Sequence, residues 1–150
     1  MSKPKELPKE LPYEITPQVR DTCISLHVQR AARAVARRYD DLLRPLGMTS
    51  GQFSLMMSLN RPEPPTMGQV SSVLAMDRTT VTANLKPLER RGFVEIRIDE
   101  KDRRSRRLKL TPSGRRLLAM AYPLWQQGQA ENERLIPDPD RLRADLRALS

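Results

Sequence analysis

Cysteine, histidine and aromatic residues are scarce in this 150-residue chain, and each shortage excludes a class of chemistry. One cysteine cannot form an internal disulfide, and one cysteine with one histidine cannot supply a zinc tetrad. Serine–histidine hydrolysis would rest on His27 alone, in a sequence without a nucleophile elbow. The chain is therefore expected not to be an enzyme and to hold neither metal nor cofactor. Aromatics make up 4%, so the core must be built from Leu, Val, Ile, Met and Ala. The same shortage argues against the stacking platforms that single strands and RNA require. No apolar run approaches the ~18 residues of a membrane span, and MSKPKELPKELPYE has no apolar h-region. No membrane segment and no secretory signal are expected, and the expected location is the cytoplasm.

What the chain has in excess is positive charge, gathered in one stretch. Lys and Arg number 27 against 18 Asp and Glu, a formal net charge of +9. Between Lys86 and Arg116 stand 12 basic and 5 acidic residues, including the run RRSRRLK from Arg103 to Lys109. That excess points to a polyanion partner, double-stranded nucleic acid before a membrane surface. The length allows one domain with a sizeable core.

Capping signals divide the chain. Residues 1–15 alternate Lys, Glu, Pro and Leu and read as a flexible arm. Thr16-Pro17 has the Thr N-cap and N1 proline of a helix start. Apolar or small residues then recur at helical spacing from Val19 through Cys23, Leu26 and Ala34 to Leu46. This predicts one long amphipathic helix, ended by Pro45 and Gly47. Thr49 to Gln52 and Thr66 to Gln69 both carry the T-x-x-Q capping-box spacing, opening two shorter helices. Asp77 is expected to cap a third helix that reaches about Arg91, with Gly92 beyond it and Pro87 bending or loosening its last turns. Val94, Ile96 and Ile98, then Leu108 and Leu110, alternate with polar residues around the charged loop 99–105. That pattern predicts an antiparallel hairpin with one apolar face and a basic tip. Thr111-Pro112 opens a long helix through Leu117, Leu118, Leu124 and Trp125, with a kink expected at Pro123. After a break at 137–140, Leu142, Leu146 and Leu149 mark a last short helix.

A short helix, a tight turn, a longer helix and a basic hairpin compose a winged helix-turn-helix, whose second helix can enter the major groove. Its candidate DNA-reading residues are Arg78, Thr79, Thr80, Thr82, Asn84 and Lys86, all hydrogen-bonding or cationic types. Val81, Leu85 and Leu88 would face the core. In the wing, Arg103, Arg104, Arg106 and Arg107 are expected in solvent or on phosphate. An Arg on the tip can reach a narrow minor groove, and Asp102 could orient the Arg104 guanidinium or merely shape the turn. The first helix and the last two carry more apolar surface than a small lobe covers, which suggests pairing with a second copy.

The run from Thr66 to Leu118 closely resembles the MarR family of bacterial transcriptional regulators. Three pieces carry the resemblance: DRTTVTANLKPLERRGFV, DEKDRRS and LTPSGRRL. The family's D-x-R wing signature falls on Asp102 and Arg104, and its LT-x-x-G signature on Leu110, Thr111 and Gly114. LGMTSGQFSLMMSL also resembles the family's second helix. The fold expected is mainly α with a small β-hairpin wing, a winged helix-turn-helix between N- and C-terminal dimerisation helices. The segments are then the arm 1–15, a dimerisation helix 16–48, the DNA-binding lobe 49–111 and C-terminal dimerisation helices 112–150. The resemblance implies a homodimer on a pseudo-palindromic operator. It also implies a repressor that is released or modulated by a small, often aromatic, anion.

Candidate effector residues are Cys23, His27 and Met57. Some members of the family respond instead to oxidation of a first-helix cysteine. Their cysteine corresponds to Ser25 here, and Gln29 and Ser50 stand at two of the supporting tyrosine places, with only Tyr39 kept. Cys23 is accordingly read as a buried structural residue, with a redox role as the alternative. The other alternative is a basic nucleic-acid module without operator specificity.

Overall fold

The computed structural model describes residues 10–150, which fall into two units, one ending at Ala34 and the other running from Val35 to Ser150. Of the expected arm, residues 1–9 lie outside the described residues. The first unit holds α1 (Ile15–Thr22) and the opening turns of α2 (Ile24–Leu43). The single helix expected here, capped by Thr16, is in fact two. The first begins at Ile15 and ends at Cys23, whose backbone is extended at φ −69° and ψ 108°. Local residues there are poor helix formers. Thr22 and Ile24 are β-branched, and the Thr22 hydroxyl donates to the Gln18 carbonyl at 2.7 Å, competing with the helix ladder. α2 restarts at once, with the Cys23 carbonyl accepting from the His27 backbone N–H at 3.2 Å and from His27 Nδ1 at 2.8 Å. A carbonyl can only accept, so Nδ1 carries the proton. Cys23 is half-buried, not the buried structural cysteine expected, and His27 is exposed.

In the second unit, α2 ends in a 3-10 turn over Arg44–Leu46, and Gly47 at φ 61° reverses the chain. α3 (Ser50–Leu59) and α4 (Met67–Leu74) follow, each opened by a complete capping box. Thr49 and Gln52 exchange bonds at 3.0 and 3.1 Å, and Thr66 and Gln69 at 2.9 and 3.2 Å. α4 stops at Ala75, which takes the left-handed conformation at φ 51° to make the tight turn into α5 (Arg78–Arg90). Asp77 caps α5 as the sequence predicts, accepting from the Thr80 N–H at 2.8 Å. Pro87 does not interrupt α5, which runs on to Arg90. The bond it removes lies one turn from the end, and buried Leu85 and Leu88 hold that turn against the core.

β1 (Val94–Ile98) and β2 (Arg106–Leu110) pair antiparallel with Val94 opposite Leu110 and Ile96 opposite Leu108. Val94, Leu108 and Leu110 are buried, but Ile98 is 51% exposed. The apolar face therefore stops short of the tip, where Ile98 pairs with Arg106 beyond the reach of the core. The hairpin is also tied down along its outer edge. Leu108 N–H donates to the Pro65 carbonyl at 2.9 Å, and Thr66 bridges to Arg107.

α6 (Pro112–Glu133) starts at the Thr111 cap and passes Pro123 unbroken, and α7 (Pro139–Ala148) follows an Asp138 cap. Buried Ala121 before Pro123, and Leu124 and Trp125 after it, anchor both sides of that proline to the core. Two glycines permit close packing along α6. A Cβ on Gly114 would stand 2.1 Å from the Phe93 carbonyl oxygen, and one on Gly128 would stand 2.7 Å from the Tyr39 ring. The core itself lies where α3, α5, the hairpin and α6 meet, around Leu55, Met56, Leu85, Leu88 and Leu108.

Candidate nucleic-acid interface

The surface built by α5 and the hairpin starts from the Asp77 cap. The Asp77 carboxyl accepts from the Thr80 N–H and from the Thr80 hydroxyl, both at 2.8 Å. These bonds, the backbone one first, hold the carboxyl below the usual carboxylate range. They also commit the Thr80 hydroxyl proton to the helix itself. The Thr82 hydroxyl donates to the Arg78 carbonyl at 2.8 Å, so its proton is committed as well. Arg78, Thr79, Thr80, Asn84 and Lys86 are exposed and Thr82 is half-buried, while Val81, Leu85 and Leu88 are buried as expected.

The candidate residues are spread around the outward face. With 3.6 residues per turn and Val81, Leu85 and Leu88 inward, the residues at the middle of the outward arc are Thr79, Ala83 and, in the last turn, Arg90, with Lys86 beside them. Thr80 and Asn84 fall on one flank, where Asn84 Nδ2 lies 4.0 Å from Met76 Sδ. Arg78 and Thr82 fall on the other. Ala83 was not among the candidates because a lone alanine on a polar face carries no hydrogen-bonding signal.

The wing tip divides its residues between contact and scaffold. Asp102 does not meet the Arg104 guanidinium. Its Oδ1 accepts from the Arg104 backbone N–H at 3.0 Å, and its carbonyl accepts from the Ser105 N–H at 2.9 Å. Asp102 thus shapes the turn that presents Arg103 and Arg104, both exposed. Arg106 is exposed, its Nη1 lying 3.3 Å from the Arg103 and Ser105 carbonyls. Arg107, expected in solvent, is instead half-buried. It donates to the Pro64 carbonyl at 2.8 Å and pairs with Asp99 at 3.2 Å. The largest influence lowering the Asp99 carboxyl's pKa is the Lys101 backbone N–H, with Arg107 adding to it. Arg78 and Thr82 of α5 and Asp102, Arg104 and Arg106 of the wing border one hollow of about 310 Å³. Recognition helix and wing tip therefore offer their cations on one side of the lobe.

A second feature is an apolar cavity of about 510 Å³, lined by Phe53, Met57, Val73, Leu74, Tyr122 and Trp125 with Ser54 and Ser58. Met57 is there as a wall, whereas Met56 is fully buried core. Cys23 and His27 belong to the first unit and are not part of this lining. A neighbouring hollow of about 480 Å³ shares Met57 and Tyr122 and adds Arg115, which in the sequence stands only as one of the basic residues between Lys86 and Arg116. Among the described residues, no cluster of His, Cys, Asp or Glu could hold a metal ion, and no helix is long and apolar enough to cross a membrane.

The model of the MarR family matches residues 48–105, from the turn before α3 to the end of the wing loop. The crystal structure of the transcriptional regulator MosR of M. tuberculosis in complex with DNA is 36% identical, with 85% of this chain and 92% of that one covered and a TM-score of 0.79. The transcriptional repressor CouR bound to a 23-mer DNA duplex is 26% identical, over 94% of this chain and 96% of that one, with a TM-score of 0.70. The HTH-type regulator YwoH of Bacillus subtilis (strain 168) is 33% identical over 84 residues, 56% of this chain. The matching stretch spans 61% of the length of that relative. With the winged helix-turn-helix of α3 to β2 and an alignment that runs nearly end to end on MosR, the chain belongs to the MarR family of transcriptional regulators.

Proposed function

We propose that this protein is a sequence-specific regulator of transcription that binds double-stranded DNA as a homodimer. Each lobe would lay α5 in a major groove and its wing tip along the flanking backbone or minor groove. The observation that carries this reading is the single hollow bordered by Arg78 from α5 and by Arg104 and Arg106 from the wing. Groove and phosphate contacts made from one side of a lobe need that placement. The DNA complexes of MosR and CouR support it by likeness of fold. The test is footprinting on duplexes from upstream of the protein's own gene. A discrete protected palindrome supports a specific regulator; uniform coating supports a general basic binder.

Pairing of two copies is read from α7. Four of its five charged side chains are already matched within the chain, Arg141 with Asp145, and Arg143 with Asp140 and Glu133, which leaves Arg147 in the last turn. Leu142, Leu146 and Leu149 are left exposed along one stripe. A stripe of this kind suits the self-complementary interface of a twofold dimer.

For the effector we propose a small aromatic anion. The ring would lie in the apolar cavity against Met57 and Trp125, and the anionic group would turn toward Arg115 in the adjoining hollow. The cavity lining proper has no Lys, Arg or His, so a neutral aromatic fits its walls but leaves Arg115 unused. Titration with benzoate and with benzamide, read as release of bound DNA, separates the two.

A further inference from the structure

At the middle of the outward face of α5, Ala83 presents a methyl group and Thr79 a methyl and a hydroxyl. Ala83 sits at its centre with Thr79 one turn before it, and together with Thr82, Arg78 and Lys86 they line a shallow hollow on the helix surface. Thr82 spends its hydroxyl proton on the Arg78 carbonyl. The amide of this helix, Asn84, lies on the opposite flank, away from that hollow. No residue at the centre can make the paired bonds that identify adenine, and the cations stand at the two ends. In the major groove, one base edge offers an apolar group: thymine, through its C5-methyl.

We infer that Ala83, flanked by Thr79 and Thr82, is a specificity-determining residue that receives the C5-methyl of a thymine in each half-site. This rests on the reading of α5 as a major-groove helix, and it goes beyond it by naming the base and the chemical group read. Arg78 and Lys86, at the two ends of the hollow, hold the helix in register on guanine edges or phosphates around that thymine.

The experiment uses the full-length protein and duplexes selected by it from a randomised pool. Each thymine of the selected site is replaced in turn by deoxyuridine, which removes the methyl and keeps the base pair. Burying one methyl-sized group is worth about 0.8 kcal/mol, which converts to about fourfold in affinity. The expected result is a loss of about fourfold at one or two thymines per half-site and little change at the others. Ala83→Ser, with its helicity checked by circular dichroism, should bind the thymine and deoxyuridine duplexes alike at that position. Deoxyuridine tolerated at every half-site thymine overturns the inference while leaving sequence-specific binding intact. A deoxyuridine penalty that is the same in Ala83→Ser also overturns it, because the methyl is then read elsewhere. A pool from which no sequence emerges removes the major-groove reading itself, and this inference with it.

Discussion

Single residues decide how closely the lobe can be packed. Gly114 is the sharpest case, because the obstacle to a side chain there is the Phe93 backbone carbonyl and not a movable tip. The Thr111 hydroxyl meanwhile donates to the Gly92 carbonyl at 2.6 Å and accepts from the Gly114 N–H at 3.0 Å. The LT-x-x-G pattern is thus a physical joint between the end of the wing and the start of α6. We expect Gly114→Ala to cost about 1–3 kcal/mol, toward the upper end, measurable as a shift of the urea midpoint without loss of slope. Arg104 has the opposite character, exposed and free of the scaffold that holds Arg107. Arg104→Ala should leave that midpoint where it is and weaken binding to operator and to random DNA, by about 1–3 kcal/mol on the operator. Unchanged affinity on both DNAs would remove the wing from the interface.

At the level of elements, two carboxylates hold the ends of what must be presented. Asp77 starts α5, and Asp99 fixes the base of the wing loop through the Lys101 N–H and Arg107. Both carboxyls have pKa values lowered in the folded protein. A lowered folded value means that the stabilisation is present above the unfolded value, near ~3.9, and is lost as pH falls through the folded one. We expect the melting temperature to decline as the medium is acidified below about pH 4. Asp99→Asn should flatten part of that decline and lower stability at neutral pH. A melting temperature equally steep in acid for the variant and the parent chain would show that Asp99 contributes nothing to it.

The elements themselves were largely legible in the sequence, because their ends are local chemistry. Both T-x-x-Q boxes, the Asp77 and Thr111 caps and the 99–105 loop are set by residues within a turn of one another. What was not legible depends on distant partners or on small competing preferences. The break at Cys23 is one residue's turn to extended backbone, and periodicity alone runs straight through it. Arg107 reads as one more cation in a basic run until Pro64, 43 residues earlier, and Asp99, across the wing loop, arrive beside it. Asp102 was placed correctly in the turn but its partner was the Arg104 backbone and not the guanidinium. Ala83 was invisible for a simpler reason: its worth lies in carrying nothing polar.

For the whole molecule, the open question of assembly turns on α7. With four of its five charges matched and its leucines bare, removal of residues 137–150 should leave the lobe folded and the pairing lost. We expect the shortened chain to sediment as a monomer or to aggregate, and to lose operator binding. A well-behaved dimer that still binds the operator would show that the last helix is dispensable. A further consequence follows from the short helix α4. Its far end contributes Val73 and Leu74 to the wall of the apolar cavity, and at its near end the Thr66 cap is bridged to Arg107 of the wing. α4 is therefore a rod two turns long with one end in the candidate sensor and the other in the candidate grip. An occupant that displaces the first end works against the second, and the work is the same in either direction. Operator DNA should alter the protein's hold on the effector by the same factor by which the effector alters its hold on DNA.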